Sequence, residues 1–112
     1  MTTGIPMVNH RFYVKIHSMI RNTIYYSGRV QGIGFRDACC ACAENCIVTG
    51  YVMNLPDGRV KLVAEGEKKE LKVLVENISK HMSRNIHNQT VDISQANGEF
   101  GKPTTAALCV KY

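Results

Sequence analysis

The sequence predicts an α+β fold in which two helices cover one face of an antiparallel sheet. Three observations predict it. Short alternating or apolar segments bounded by glycine and proline are typical of strands. Two segments repeat their apolar residues at helical spacing. The elements follow one another in the order β-α-β-β-α-β, with a short terminal strand. With 112 residues the chain is the size of one domain, and this order is that of the ferredoxin-like sandwich.

The strand predictions rest on local pattern. Segment 20–27 is rich in isoleucine and tyrosine. The tetrad Leu55-Pro56-Asp57-Gly58 is a turn signal, because proline fixes φ and glycine accepts a positive φ. It therefore joins the second and third strands into a hairpin, and residues 98–103 form a later loop. The strands are predicted at 20–27, at 47–54, at 60–65, around Val91 and Ile93, and at Ala106, Leu108 and Val110.

Two helices are predicted from residue spacing. The first runs from 35 to 46, and its apolar positions are Phe35, Cys39, Cys42 and Cys46. The second has apolar residues at i, i+3, i+4 and i+7, with charged residues on its other side. Those apolar residues are Leu71, Leu74, Val75 and Ile78. Residues 1–18 are weakly patterned, so they are treated as an N-terminal extension of unknown role ahead of a domain at 19–112.

Charge and composition restrict the function classes. The chain has 14 Lys+Arg against 9 Asp+Glu, a formal net charge of +5, and such an excess attracts anions without choosing among them. Tryptophan is absent, which disfavours a stacking surface for single-stranded nucleic acid. No apolar run approaches the roughly 18 residues of a membrane span, and no secretory signal is recognised. We therefore expect a cytoplasmic protein with neither a membrane nor a nucleic-acid partner.

The cysteines favour a reduced compartment. Four of the five lie between 39 and 46, and neighbouring helical cysteines do not form a secreted disulfide framework. Cys39 and Cys42 have the C-x-x-C spacing of a metal or redox site. Together with Cys46 they share the apolar face of the predicted helix, which favours the core, whereas Cys40 points away from that face. No metal site is expected.

A glycine-rich loop joins the first strand to the first helix. Segment 28–34 has three glycines in seven residues, which lets backbone N–H groups converge. The helix start adds unpaired N–H groups and partial positive charge, and Arg36 can clamp two anion oxygens. The loop therefore predicts a phosphate-sized anion site, with a plain βα turn as the alternative. It is not a Walker loop, because no Gly-Lys-Ser/Thr closes it, and it is not a dinucleotide fingerprint, because Asp37 replaces the third glycine.

Asn54 ends the second strand, just before the hairpin turn. In this topology it could lie near the glycine loop, and its amide can donate and accept hydrogen bonds to orient a water. The alternative, which spacing alone favours, is an asparagine that shapes the turn through its own backbone.

Two motifs resemble the signatures of the acylphosphatase family: GRVQGIGFR at Gly28–Arg36 and GYVMNLPDGRVKLVAEG at Gly50–Gly66. They occur in the family's order and separation. The resemblance implies that Arg36 binds a phosphate and that Asn54 positions the attacking water. The substrate-binding backbone would be that of Val30, Gln31, Gly32, Ile33, Gly34 and Phe35. Three features depart from the family: Tyr26 replaces a small aliphatic residue, Ile33 replaces a common valine, and Arg84–Thr90 lacks the usual Gly-Pro and small-residue run.

The resemblance implies an enzyme that hydrolyses acyl phosphates to a carboxylate and inorganic phosphate by in-line attack of a water. Because the carboxylate is a good leaving group, no cofactor or metal is expected, and the substrate phosphate can accept the proton of the water. The expected partner is a small acyl phosphate, and the expected state is a monomer. The alternatives are a non-catalytic module that binds phosphate or nucleic acid, and an accessory domain for a carbamoyl phosphate-type ligand. RNA-recognition domains share the element order but present aromatics on the third strand, and segment 59–65 has none.

Overall fold

The structure, a computed structural model, describes residues 19–112 and contains five strands and two helices in that range. The strands are β1 (Met19–Gly28), β2 (Val48–Asn54), β3 (Val60–Glu67), β4 (Ile86–Gln95) and β5 (Leu108–Lys111). The helices are α1 (Phe35–Cys42) and α2 (Lys68–His81). The extension predicted at residues 1–18 lies outside the described residues.

The strands form one sheet in the order β4-β1-β3-β2-β5. β1 pairs antiparallel with both β3 and β4, and β2 pairs antiparallel with β3. The predicted ferredoxin-like fold is confirmed for these four strands. β5 adds parallel to β2, so the sheet as a whole is mixed. Because β1, β2 and β5 run in one direction, their carboxyl ends meet at the same edge of the sheet.

Strands β1, β2 and β3 differ from their predicted bounds by one or two residues, and three other differences have a physical explanation. α1 ends at Cys42 instead of residue 46, because the chain tightens there into i→i+3 bonds such as Cys46 N to Ala43 O at 3.1 Å. β4 begins at Ile86, well before Val91. Its pattern is weak because nearly every β4 side chain is exposed at the sheet edge. Ala106 lies outside β5, since its φ of 56° does not fit a strand.

The hydrophobic core lies between the sheet and the two helices. From the helices it receives Phe35, Cys39, Leu71, Leu74 and Ile78, all with at most 1% of their surface exposed. Full burial of one such large aliphatic side chain contributes about 1.5–3 kcal/mol. Val75 packs against this core while partly buried. Three of the four apolar residues predicted for α2 are therefore fully buried.

Tyr26 is fully buried in this core. Its ring lies 5.1 Å from the ring of Phe35 at 60°, so the two aromatic side chains pack against each other. The Tyr26 hydroxyl is buried and has no hydrogen-bond partner among the described residues. Burial raises the pKa of this phenol far above its ordinary value, so the hydroxyl remains neutral.

A buried carboxylate on the other face of the sheet anchors the connection between β4 and β5. Glu65 is 2% exposed and accepts hydrogen bonds from Arg21 Nε at 2.9 Å and from the backbone N–H groups of Asn97 and Gly98 at 3.1 Å. Arg21 also reaches Glu99 Oε1 at 2.5 Å. This network fixes the start of the segment that delivers β5 to the edge of the sheet.

Candidate functional site

The glycine loop turns directly into helix α1. Gly32 and Gly34 adopt φ values of 76° and 79°, a region that strains residues bearing a Cβ. A Cβ added at either position would meet no atom within 4 Å, so both glycines serve backbone conformation and not close packing. The first intrahelical bond runs from Ala38 N to Gly34 O at 2.9 Å. The N–H groups before Ala38 have no earlier helical carbonyl to bond, and such groups suit an anion.

A cleft of about 110 Å³ opens beside this helix start. Its lining contains six of the eight predicted site residues: Val30, Gly32, Gly34, Phe35, Arg36 and Asn54. The other two, Gln31 and Ile33, do not line it. Gln31 Nε2 donates to Leu55 O at 2.8 Å and to Arg59 O at 2.9 Å, which ties the loop to the β2–β3 turn. Ile33 is 45% exposed on the outer side of the loop.

Asn54 reaches the cleft because β1 and β2 end at the same edge of the sheet. Its Oδ1 atom is buried and has no hydrogen-bond partner among the described residues. Other groups hold the neighbouring turn: Leu55 N donates to Arg59 O at 2.8 Å, and Arg59 N donates to Asp57 Oδ1 at 3.1 Å. The Oδ1 atom of Asn54 therefore does not hold that turn, and the residue lines the cleft beside the anion loop.

Arg36 is the second residue of α1 and lies half-buried in the lining. Its guanidinium carbon lies 4.9 Å from the centroid of the Tyr112 ring, a cation–π arrangement. Within residues 19–112 the structure records no carboxylate paired with this guanidinium. The positive charge at the cleft is therefore not neutralised by a described acidic partner.

Sequence reasoning missed three lining residues: Asp37, Val110 and Tyr112. Asp37 lies in the first turn of α1, where a carboxylate interacts favourably with the helix dipole. Val110 pairs with Val52 in the parallel β2–β5 ladder, so Tyr112 follows at the level of Asn54. A parallel pairing between segments so far apart in sequence leaves no local pattern that could have revealed these two residues.

The cysteines are all free thiols. Cys39 and Cys46 are buried, as predicted, but Cys42 is only half-buried. The expected solvent exposure of Cys40 is wrong: it is half-buried and packs against the core, because α1 also contacts β5. Burial raises the pKa of Cys39 and Cys40 above that of an ordinary thiol. Cys109 is the exposed thiol.

Between residues 19 and 112, no three or more His, Cys, Asp or Glu side chains group in a way that could hold a metal ion. Neither helix in that range combines the length and the apolar character that a membrane crossing needs.

The fold and the cleft define a small α+β protein of the ferredoxin-like type, with a glycine loop, a helix N-terminus and an arginine facing one cavity. A family model described as Acylphosphatase matches residues 22–102. The chain belongs to the acylphosphatase family.

Individual relatives agree with this assignment. An acylphosphatase of Methanospirillum hungatei is 39% identical over 80 residues, which cover 67% of this chain and 88% of the relative. One of Rubrobacter xylanophilus is 57% identical over 47 residues, or 42% of this chain and 43% of the relative. The crystal structure of acylphosphatase from Bacillus subtilis superposes with a TM-score of 0.69 at 26% identity, covering 83% of this chain and 99% of that one.

Proposed function

We propose that this protein hydrolyses acyl phosphates to a carboxylate and inorganic phosphate. The observation that carries the proposal is that Arg36, the glycine loop and Asn54 line one cleft. The family assignment supports the same reaction.

The phosphoryl group would be held by backbone and charge together. The loop N–H groups between Val30 and Phe35 and the start of α1 would donate to its oxygens, as helix N-termini do for phosphates. Arg36 would add charge-assisted hydrogen bonds. These donors are fixed by the loop before the substrate arrives, so little reorganisation is needed as negative charge shifts during the reaction.

Asn54 would orient the nucleophile. A water that accepts a hydrogen bond from Asn54 Nδ2–H directs its other lone pair toward the bound phosphorus, opposite the acyl oxygen. The new bond joins the water oxygen to phosphorus. The bond from phosphorus to the acyl oxygen breaks, and its electron pair leaves with the carboxylate. The proton of the water passes to a phosphoryl oxygen, so these roles call for no separate general base.

The setting of the reaction is part of the same proposal. Five free thiols support a reducing compartment such as the cytoplasm. The small size of the cleft supports a small acyl phosphate as the substrate, in preference to nucleic acid. A monomer suffices, because one chain supplies every group used in this mechanism.

Hydrolysis of benzoyl phosphate, followed by ultraviolet absorbance, tests the proposal. We expect turnover by the wild type and its loss in Asn54→Ala and Arg36→Ala. Arg29→Ala is the matched control, because Arg29 lies in the same loop but outside the cleft lining, and it should keep wild-type turnover. If the wild type bound inorganic phosphate without hydrolysing benzoyl or acetyl phosphate, the protein would be a binding module and the enzymatic proposal would be wrong.

A further inference from the structure

We infer that Tyr112 and Val110 form the surface that receives the acyl group, so that these two residues determine which acyl phosphates are preferred. This inference rests on the proposed hydrolysis. It concerns the part of the cleft lining to which the proposed phosphate binding assigns no role.

The cleft is divided between polar and apolar surface. The glycine loop, Arg36 and Asn54 supply its polar side. Of the apolar residues in the lining, Val30 and Phe35 are only 1% exposed, so they offer a ligand almost no side-chain surface. Tyr112 is 94% exposed, and Val110 is half-buried. The apolar surface open to a ligand therefore comes from the end of β5.

The position of Tyr112 relative to Arg36 brings this surface next to the reacting bond. The guanidinium lies 4.9 Å from the ring centroid, and a phosphoryl oxygen bound to that guanidinium would lie about 2.7–2.9 Å from its nitrogens. The acyl carbon is separated from phosphorus by a single oxygen. An acyl chain or aryl ring attached to that carbon consequently begins within reach of the tyrosine ring.

The chemical class that gains from this arrangement is the acyl phosphate with a flat or extended apolar acyl group. Such a group would cover ring surface that is otherwise exposed to water, and stacked aromatic pairs gain further from their geometry. An acetyl group has a single methyl to offer. The cleft should thus favour benzoyl over acetyl phosphate through contacts with Tyr112, whereas the loop and Arg36 treat the two phosphoryl groups alike.

Tyr112 could instead act only by holding Arg36 in place, and the two roles give different kinetics. If it only positions Arg36, removing its ring weakens every substrate by the same factor. If it contacts the acyl group, removing the ring changes the ratio of kcat/KM between benzoyl and acetyl phosphate. This ratio cancels any change in phosphate binding.

The experiment compares that ratio in wild type, Tyr112→Ala, Tyr112→Phe and Val110→Ala. We expect Tyr112→Ala to lower the benzoyl-to-acetyl ratio roughly three- to tenfold, mainly through KM, and Val110→Ala to lower it by a smaller factor. Tyr112→Phe, which keeps the ring, should retain the wild-type ratio. Tyr25→Ala is the matched control: Tyr25 also lies under an arginine, with Arg59 at 4.7 Å, but it is outside the cleft lining.

A binding measurement keeps the inference testable apart from turnover. Phenacylphosphonate and acetonylphosphonate carry a CH₂ in place of the bridging oxygen and cannot be hydrolysed in the same way. Calorimetry should give the same three- to tenfold change in their affinity ratio for Tyr112→Ala. An unchanged ratio in both assays overturns the inference. Absence of hydrolysis by the wild type, with the expected phosphonate ratio, would instead overturn the proposed reaction alone.

Discussion

Asn54→Ala is expected to lower activity while leaving the fold as stable as before, or more stable. The Asn54 Oδ1 atom is buried without a partner in the described part of the chain, and a buried polar atom left in this state costs about 1–3 kcal/mol. Alanine removes that atom. Some of this gain in the free energy of unfolding is offset, because the smaller alanine side chain leaves a cavity. The free energy of unfolding should therefore stay within about 1 kcal/mol of wild type or rise.

The effect on catalysis should be much larger than the effect on stability, and it should be a loss of rate. Without the Asn54 amide N–H the attacking water loses the group that aims it, and misplacement of a reacting group by about 1 Å costs on the order of 100-fold in rate. We expect kcat to fall by about two to three orders of magnitude. The inhibition constant of inorganic phosphate should stay near its wild-type value, because Asn54 is proposed to contact the water and not the phosphoryl oxygens.

The assay combines benzoyl phosphate kinetics, phosphate inhibition and thermal unfolding on Asn54→Ala and on the exposed control Asn45→Ala. Asn45→Ala should match wild type in all three. If Asn54 only shaped the turn between Leu55 and Gly58, its variant would instead lose several degrees of Tm and keep the kcat of the folded fraction. A stable Asn54→Ala enzyme with normal kcat would refute the role assigned to Asn54.

Four further changes test other parts of the structure. Arg36→Ala should lower kcat/KM by about two to four orders of magnitude, since losing one partner of a desolvated charge pair costs about 2–5 kcal/mol; normal phosphate inhibition in this variant would remove the anion site from the loop. Tyr26→Phe should raise the free energy of unfolding by about 1–3 kcal/mol in denaturant titrations, because it deletes the unpartnered hydroxyl, and a destabilised variant would reveal a hidden partner. A thiol reagent should label Cys109 first and Cys39 only on unfolding; peptide mapping that finds fast native labelling of Cys39 would contradict its burial. Glu99→Gln should lower Tm at neutral pH, because the hydrogen bond from Arg21 lowers the pKa of Glu99. That contribution to stability is present above the unfolded-state pKa of Glu99 and is lost as pH falls through its folded-state pKa. The Tm values of wild type and variant should therefore converge in acid. A Tm difference that stays constant with pH would exclude linkage to this carboxyl.

The elements with a strong local pattern were predictable from sequence. The spacing of Leu71, Leu74 and Ile78 corresponds to the buried face of α2, and the turn at Leu55–Gly58 joins β2 to β3. β4 shows the limit of this approach. It is a ten-residue strand held by its pairing with β1, but its exposed position requires no apolar alternation.

The residues of the candidate site also differ in whether the sequence alone predicts that they lie together. Arg36 and the glycine loop are contiguous in sequence, so their conjunction is visible before folding. The approach of Asn54 follows from the parallel directions of β1 and β2, which the topology implies. Val110 and Tyr112 enter through the β2–β5 ladder, which depends on contacts across more than fifty residues. The predicted solvent exposure of Cys40 was wrong for a related reason. A helical wheel shows the direction of a side chain around the helix axis, but not which strand packs over it.

The distribution of the cleft residues along the chain has a consequence for folding kinetics. The lining draws on six residues between Val30 and Asp37, on Asn54, and on Val110 and Tyr112, and among the described strands β5 pairs with β2 alone. Pairings between segments so distant in sequence form more slowly than local helices and hairpins. Ellipticity from α1 and α2 can therefore return before the cleft is complete. In a refolding experiment the recovery of catalytic activity therefore reports the completion of long-range pairings, including that of β5 with β2, and not the earlier return of the helices.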